Sequence, residues 1–204
     1  MSGPRVFLSA SFPSGKAGEP YEPYDVAAIA DAATAVVRAV LRAGGRIVFG
    51  AHPAISPLVL QVAAELGRRE VVDVYQSRFF EGVIPAETTR LIQLGYAVPH
   101  WTKTVPGEHE RDAKPSLNVM RTEMLVVAKA PDAAVFIGGM DGIKREYDLL
   151  DKRPDPVPLL PVKAPGGEAR NLQRSGDAVA ERLSPLLESP HYPELARQIV
   201  AALR

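Results

Sequence analysis

The 204-residue sequence predicts an α/β fold: a single Rossmann-like, three-layer domain with a central, mostly parallel sheet and a helical C-terminal segment. Three observations predict it. Short apolar, β-branched runs alternate with longer helical patterns, as in successive βαβ units. The run Ala133–Ile137 is apolar at every position, as a central strand covered on both faces must be. The 16 Gly and 19 Pro punctuate the chain too often for a helical bundle. One domain accounts for the whole length, with a core over about 5–162 and C-terminal helices over about 172–204.

In chain order, strands are expected at Arg5–Ser9, Arg46–Phe49, Val71–Tyr75, Tyr96–His100, Ala133–Ile137 and Val157–Val162. Helices are expected at Asp25–Ala43, Pro57–Leu66, Ala86–Leu94, Leu117–Ala128, Ile143–Leu150, Asp177–Leu187 and Glu194–Leu203. Gly44-Gly45 suits a left-handed cap on the first helix, and Gly67 and Gly95 close the next two. Ser56-Pro57 reads as an N-cap followed by Pro at the first helical position, and Pro115-Ser116 offers a similar start. Three loops are long for compact α/β connections: Ser11–Tyr24, Thr102–Lys114 and Pro165–Arg174. All follow strand ends, where open parallel sheets bind ligands.

Composition excludes several classes. The chain has no Cys, so disulfides, thiolate zinc sites, iron–sulfur clusters and a thiol nucleophile are ruled out. The 24 Lys and Arg balance 24 Asp and Glu, so no global charge attracts nucleic acid or an anionic membrane. The first apolar run is too short for a secretory signal and no run is long enough to span a bilayer, which predicts a cytoplasmic protein. His52, His100, His109 and His191 lack ligand spacing, so no metal is expected. Gly15-Lys16 lacks the context of a Walker loop, and neither Gly-x-Gly-x-x-Gly nor Gly-x-Ser-x-Gly occurs.

The most informative segment runs from Ala134 to Leu150. A buried strand leads into Gly138-Gly139, then Met140-Asp141, then Gly142 at the opening of a helix. Glycines allow close backbone approach, and free amides at a helix start attract anions. Glu146 follows one turn later, in line with the apolar Ile143, Tyr147 and Leu150. Arg121 lies in a similar stripe with Leu117, Met120, Met124 and Ala128 on the preceding helix. A cation and an anion on adjacent βα units thus converge on the C-terminal sheet edge, where Arg121 can fork to a phosphate or to Glu146. Ser9-Ala10-Ser11 and Gly50-Ala51-His52 end the first two strands and complete a crevice. The candidate binding residues are therefore Ser9, Ala10, Ser11, Gly50, His52, Arg121, Gly138, Gly139, Met140, Asp141, Gly142 and Glu146. Trp101, Phe79 and Phe80 suit either base stacking or packing.

The order Met120-Arg121, Gly138-Gly139-Met140-Asp141-Gly142 and Glu146 resembles the SLOG superfamily, which includes the Lonely Guy phosphoribohydrolases. The hydrolases pair an Arg in a Met-rich helix with a Pro-Gly-Gly-x-Gly-Thr-x-x-Glu loop. Here Ile137 stands at the Pro position, Met140-Asp141 replaces a single residue between the glycines, and Ile143 replaces Thr. The segments Val48–Pro57 and Ile137–Tyr147 look closer to the SLOG branch associated with sirtuin and TIR domains, which recognises ADP-ribose-derived nucleotides, including cyclic signals in antiphage defence. The resemblance implies a nucleotide or nucleotide-sugar ligand held by the glycine loop, Arg121 and Glu146, with no cofactor, in a homodimer or higher homo-oligomer. The alternative it implies is a nucleotide N-glycosidase with Glu146 and Arg121 catalytic. A protein-interaction module is a third reading.

Overall fold

The computed structural model describes residues 3–107 and 114–204. Met1, Ser2 and the segment 108–113, with His109 and much of the loop Thr102–Lys114, lie outside the described residues. Six strands form one sheet: β1 (Arg5–Ser11), β2 (Arg46–Gly50), β3 (Val72–Ser77), β4 (Val98–Thr102), β5 (Ala133–Gly138) and β6 (Leu159–Val162). All neighbours are parallel, in the order β4-β3-β2-β1-β5-β6. The chain winds outward from β1 in one direction, then returns beside it with β5. The switch between β1 and β5 is where such sheets open a crevice at their C-terminal ends.

The helices are α1 (Gly15–Gly18), α2 (Val26–Arg42), α3 (Ser56–Glu65), α4 (Ala86–Gln93), α5 (Lys114–Thr122), α6 (Asp141–Asp151), α7 (Ala178–Leu187) and α8 (Tyr192–Ala202). One face of the sheet, carrying Val6, Leu8, Ile47 and Val135, packs against α2, α3, α7 and α8 through residues such as Ile29, Leu60, Leu183 and Ile199. The other face, carrying Phe7, Val48 and Phe136, packs against α5 and α6 through Met120, Met124, Ile143 and Leu150. Each fully buried aliphatic or aromatic side chain contributes about 1.5–3 kcal/mol of transfer free energy. β5 is buried at every position and forms the spine shared by both layers.

Local chemistry moves several boundaries. β4 begins two residues later than the pattern suggests, because Gly95 (φ 80°) is a left-handed cap and Tyr96 N–H donates to Leu91 O, 3.1 Å away. That closes α4 with a Schellman motif and withholds Tyr96 and Ala97 from the sheet. β6 is shortened by Pro158, which has no amide to give, and Pro161 is tolerated because β6 is an edge. Ser56 is the first residue of α3 rather than its cap, and its Oγ donates to His52 O at 2.8 Å. The helix expected through Ala128 breaks after Thr122 into a π turn over Glu123–Val127, closed by Ala128 N–H to Glu123 O at 2.9 Å. Among the described residues, no helix is long and apolar enough to cross a membrane.

Candidate functional site

The site grows from the C-terminal ends of β1, β2, β3 and β5. Strand alternation places Ser9 on the same sheet face as Phe7, toward α5 and α6. Helix α6 begins at Asp141, so Glu146 is a little over one turn in and points back toward β1. Ser9 Oγ donates to Glu146 Oε2 at 2.5 Å. Helix α5 supplies Arg121, whose Nε lies 3.2 Å from Glu146 Oε1. Both partners are enclosed: Arg121 is 8% exposed and Ser9 3%. Burial lifts the Glu146 carboxyl above the ordinary carboxylate range, and the Arg121 charge with the hydrogen bonds from Ser9 and Arg121 offsets only part of that rise.

Two glycines make room for this pair. A Cβ on Gly142 would stand 3.2 Å from Arg121 Nη2, so the bare first turn of α6 lets the guanidinium lie against it. A Cβ on Gly50 would stand 3.1 Å from Met120 Cε, so the end of β2 accepts the side chain next to Arg121. A cavity of about 270 Å³ opens over the ion pair. Its lining combines Arg121 and Glu146 with the apolar Leu117, Met120, Phe80 and Ile84 and the polar His52 and Gln76. Such a chamber, mostly apolar with a few convergent polar groups, is the usual form of a small-molecule site.

His52 serves both the loop and the cavity. Its Nδ1 accepts from Ala54 N–H at 3.3 Å, and its carbonyl accepts from Ile55 N–H and Ser56 N–H. Burial holds the imidazole below its ordinary value, so it is neutral near pH 7. With Nδ1 accepting, the proton sits on Nε2, which becomes a donor.

The structure separates the remaining candidates from this chamber. Ala10 packs on the opposite face of the sheet, against the α2 layer. Gly138 (φ 64°) and Gly139 (φ 76°) lie at a crossing of chain segments. Gly139 N–H donates to Ser11 O at 2.8 Å, and Gly139 O accepts from Glu168 N–H at 2.9 Å. A Cβ on Gly167 would approach Gly138 C to 2.6 Å, and one on Gly166 would approach Pro23 O to 2.1 Å. The glycine pair therefore joins four backbone segments at the switch point. Ile143 N–H to Met140 O, at 3.0 Å, is the first bond of α6, so the amides of Met140, Asp141 and Gly142 precede the helical ladder. Asp141 Oδ1 accepts from Tyr21 hydroxyl at 2.6 Å, which ties the loop Ser11–Tyr24 to the start of α6.

Sequence reasoning missed Gln76 in the chamber wall. It also missed a charge cluster at the far edge, where Asp73, 4% exposed, binds Arg5 Nη1 at 2.5 Å, Arg46 Nη2 at 3.0 Å and His100 Nε2 at 3.1 Å. Burial alone would raise Asp73, but hydrogen bonds from Arg46, His100 and Arg5 outweigh it and hold the carboxyl below its ordinary value. The available signal was the matching Arg at the head of β1 and β2, which pair in register. Among the described residues, no group of three His, Asp or Glu is placed to hold a metal ion.

No curated protein matches the chain. The model of the SLOG cluster3 family matches residues 21–199, from the loop before α2 to the middle of α8, leaving β1 and Ser9 outside the match. A match over most of the length, on a six-stranded parallel α/β sheet, settles membership: the chain belongs to the SLOG cluster3 family.

Proposed function

We propose that this protein binds a nucleotide or an ADP-ribose-derived ligand in the chamber between β2, β3, α5 and α6. The observation that carries the reading is the Arg121–Glu146 pair, with Ser9 bonded to Glu146, lining a mostly apolar cavity. Buried ion pairs add little net stability, so one that opens into a cavity is better explained by ligand recognition. In this reading the apolar wall covers a base. Glu146 accepts from a ribose hydroxyl, and Arg121 meets phosphate oxygens. Neutral His52 offers one more donor. Family membership supports a nucleotide-related ligand.

A second reading, N-glycosidic cleavage of a nucleoside phosphate, draws on one further observation: burial raises the Glu146 carboxyl. A carboxyl poised nearer neutrality can position or deprotonate a water attacking the anomeric carbon as the base departs.

One experiment covers both. The purified protein is titrated calorimetrically with nucleoside monophosphates, NAD and cyclic ADP-ribose isomers, and each mixture is then chromatographed. Binding without turnover, abolished in Arg121→Ala, is the expected result. Release of free base by the wild type but not by Glu146→Gln would instead establish the glycosidase. Absence of both binding and turnover would overturn the proposal.

A further inference from the structure

We propose that the N-terminal edge of the sheet, remote from the chamber above, carries a second anion site that takes a small polyanion of the di- or triphosphate class. β1 and β2 each begin with an arginine, and their register sets Arg5 beside Arg46. Both guanidinium groups reach the single carboxylate of Asp73, at 2.5 and 3.0 Å. Two permanent cations on one anion leave positive charge uncompensated. A cavity of about 930 Å³ opens beside them, lined by the cations Arg5, Arg46, Arg68, Lys129 and Arg204. Asp132 is the one acidic side chain in that lining among the described residues, and its Oδ2 already accepts from the Arg5 backbone N–H at 2.7 Å.

Two of the other cations are held by backbone carbonyls and not by carboxylates. Arg68 Nη1 donates to Leu41 O at 3.0 Å, and Arg204 Nη2 to Ala43 O at 3.4 Å, both carbonyls at the C-terminal end of α2. Lys129 is exposed and forms no ion pair among the described residues. These groups belong to separate segments: two strand starts, the turn after α3, the segment after the π turn and the end of α8. Five cations spaced around a concavity suit several linked anionic groups better than one. The concave form and the zero net charge of the chain favour a compact solute over a nucleic-acid backbone, which needs an extended basic stripe.

The test titrates inorganic triphosphate into the wild type and into Arg68→Ala/Lys129→Ala by calorimetry at low and moderate salt. The double variant is expected to bind at least tenfold more weakly, and the wild-type affinity to fall as salt rises. Titrations of the same double variant with nucleoside monophosphates, which carry no linked phosphates, should match the wild type, so failure at the chamber and failure at this edge are read separately. If the double variant melts at a lower temperature, Lys129→Glu and Lys129→Arg, at an exposed position, replace it: the first should weaken triphosphate binding and the second retain it. The proposal is overturned if the wild type shows no saturable triphosphate binding or if these substitutions leave the affinity unchanged. It is overturned equally if a single-stranded oligonucleotide binds more tightly than triphosphate and loses affinity in the same variants.

Discussion

Glu146 holds its place only because Arg121 and Ser9 surround it. Removing one member of an enclosed ion pair strands the other without compensation, at a cost of about 3–5 kcal/mol. Arg121→Ala should therefore lower the unfolding free energy by about that amount, whereas Glu146→Gln, which keeps shape and hydrogen-bonding capacity, should cost less. Arg121→Met/Glu146→Gln should recover most of the loss, because no buried charge remains. Urea denaturation of the three variants measures these losses, and equal losses in Arg121→Ala and the double variant would exclude a stranded charge as the cause. Arg121 and Glu146 were legible in the sequence, since a charge among Met120 and Met124, or among Ile143 and Leu150, contradicts an apolar stripe. The partners of Asp73 were not: it too interrupts an apolar run, Val71, Val72 and Val74, but only the register of β1 and β2 brings two arginines to it.

The elements show what a linear pattern can and cannot carry. Strand positions followed from β-branched runs. Their ends did not, because caps compete for the same residues: the closure of α4 draws Tyr96 and Ala97 away from β4. The π turn at Glu123–Val127 was also hidden, since its five-residue bond spacing leaves no compositional mark. It turns Val127, 75% exposed, outward from a run that reads as core. Gly138-Gly139 was visible as a motif, yet its neighbours come from segments distant in sequence. Gly138→Ala would force a side chain into a φ of 64° and set its Cβ 2.5 Å from Ile29 Cδ1. Left-handed strain and overpacking each cost about 1–3 kcal/mol, so a loss of at least about 2 kcal/mol is expected, read as a lower urea midpoint. Gly82→Ala, with open space around its Cβ, is the matched control and should stay near wild type.

At the scale of the molecule, two buried carboxylates at opposite ends of the sheet act on stability in opposite directions. Asp73 has a folded value below its ordinary 3.8, so its contribution is complete above 3.8 and is lost as pH falls through the depressed value. Glu146 has a folded value above its ordinary 4.5, so its contribution is complete below 4.5 and is lost as pH rises through the elevated value. The contribution of these two groups should therefore crest between those limits. Asp73→Asn should flatten the acid side of the stability profile and Glu146→Gln the neutral side, measured as unfolding free energy against pH. A profile unchanged in both variants would remove the two carboxylates as its source.

The backbone knot around Gly138, Gly139, Gly166 and Gly167 makes the rim of the sheet asymmetric. Over β1, β5 and β6 peptide packs against peptide, whereas over β2 and β3 side chains line a cavity. For the ligand proposed above, extension from Glu146 would be open toward Phe80 and Ile84, which line the cavity, and closed toward Pro23 and Gly166, where peptide packs on peptide.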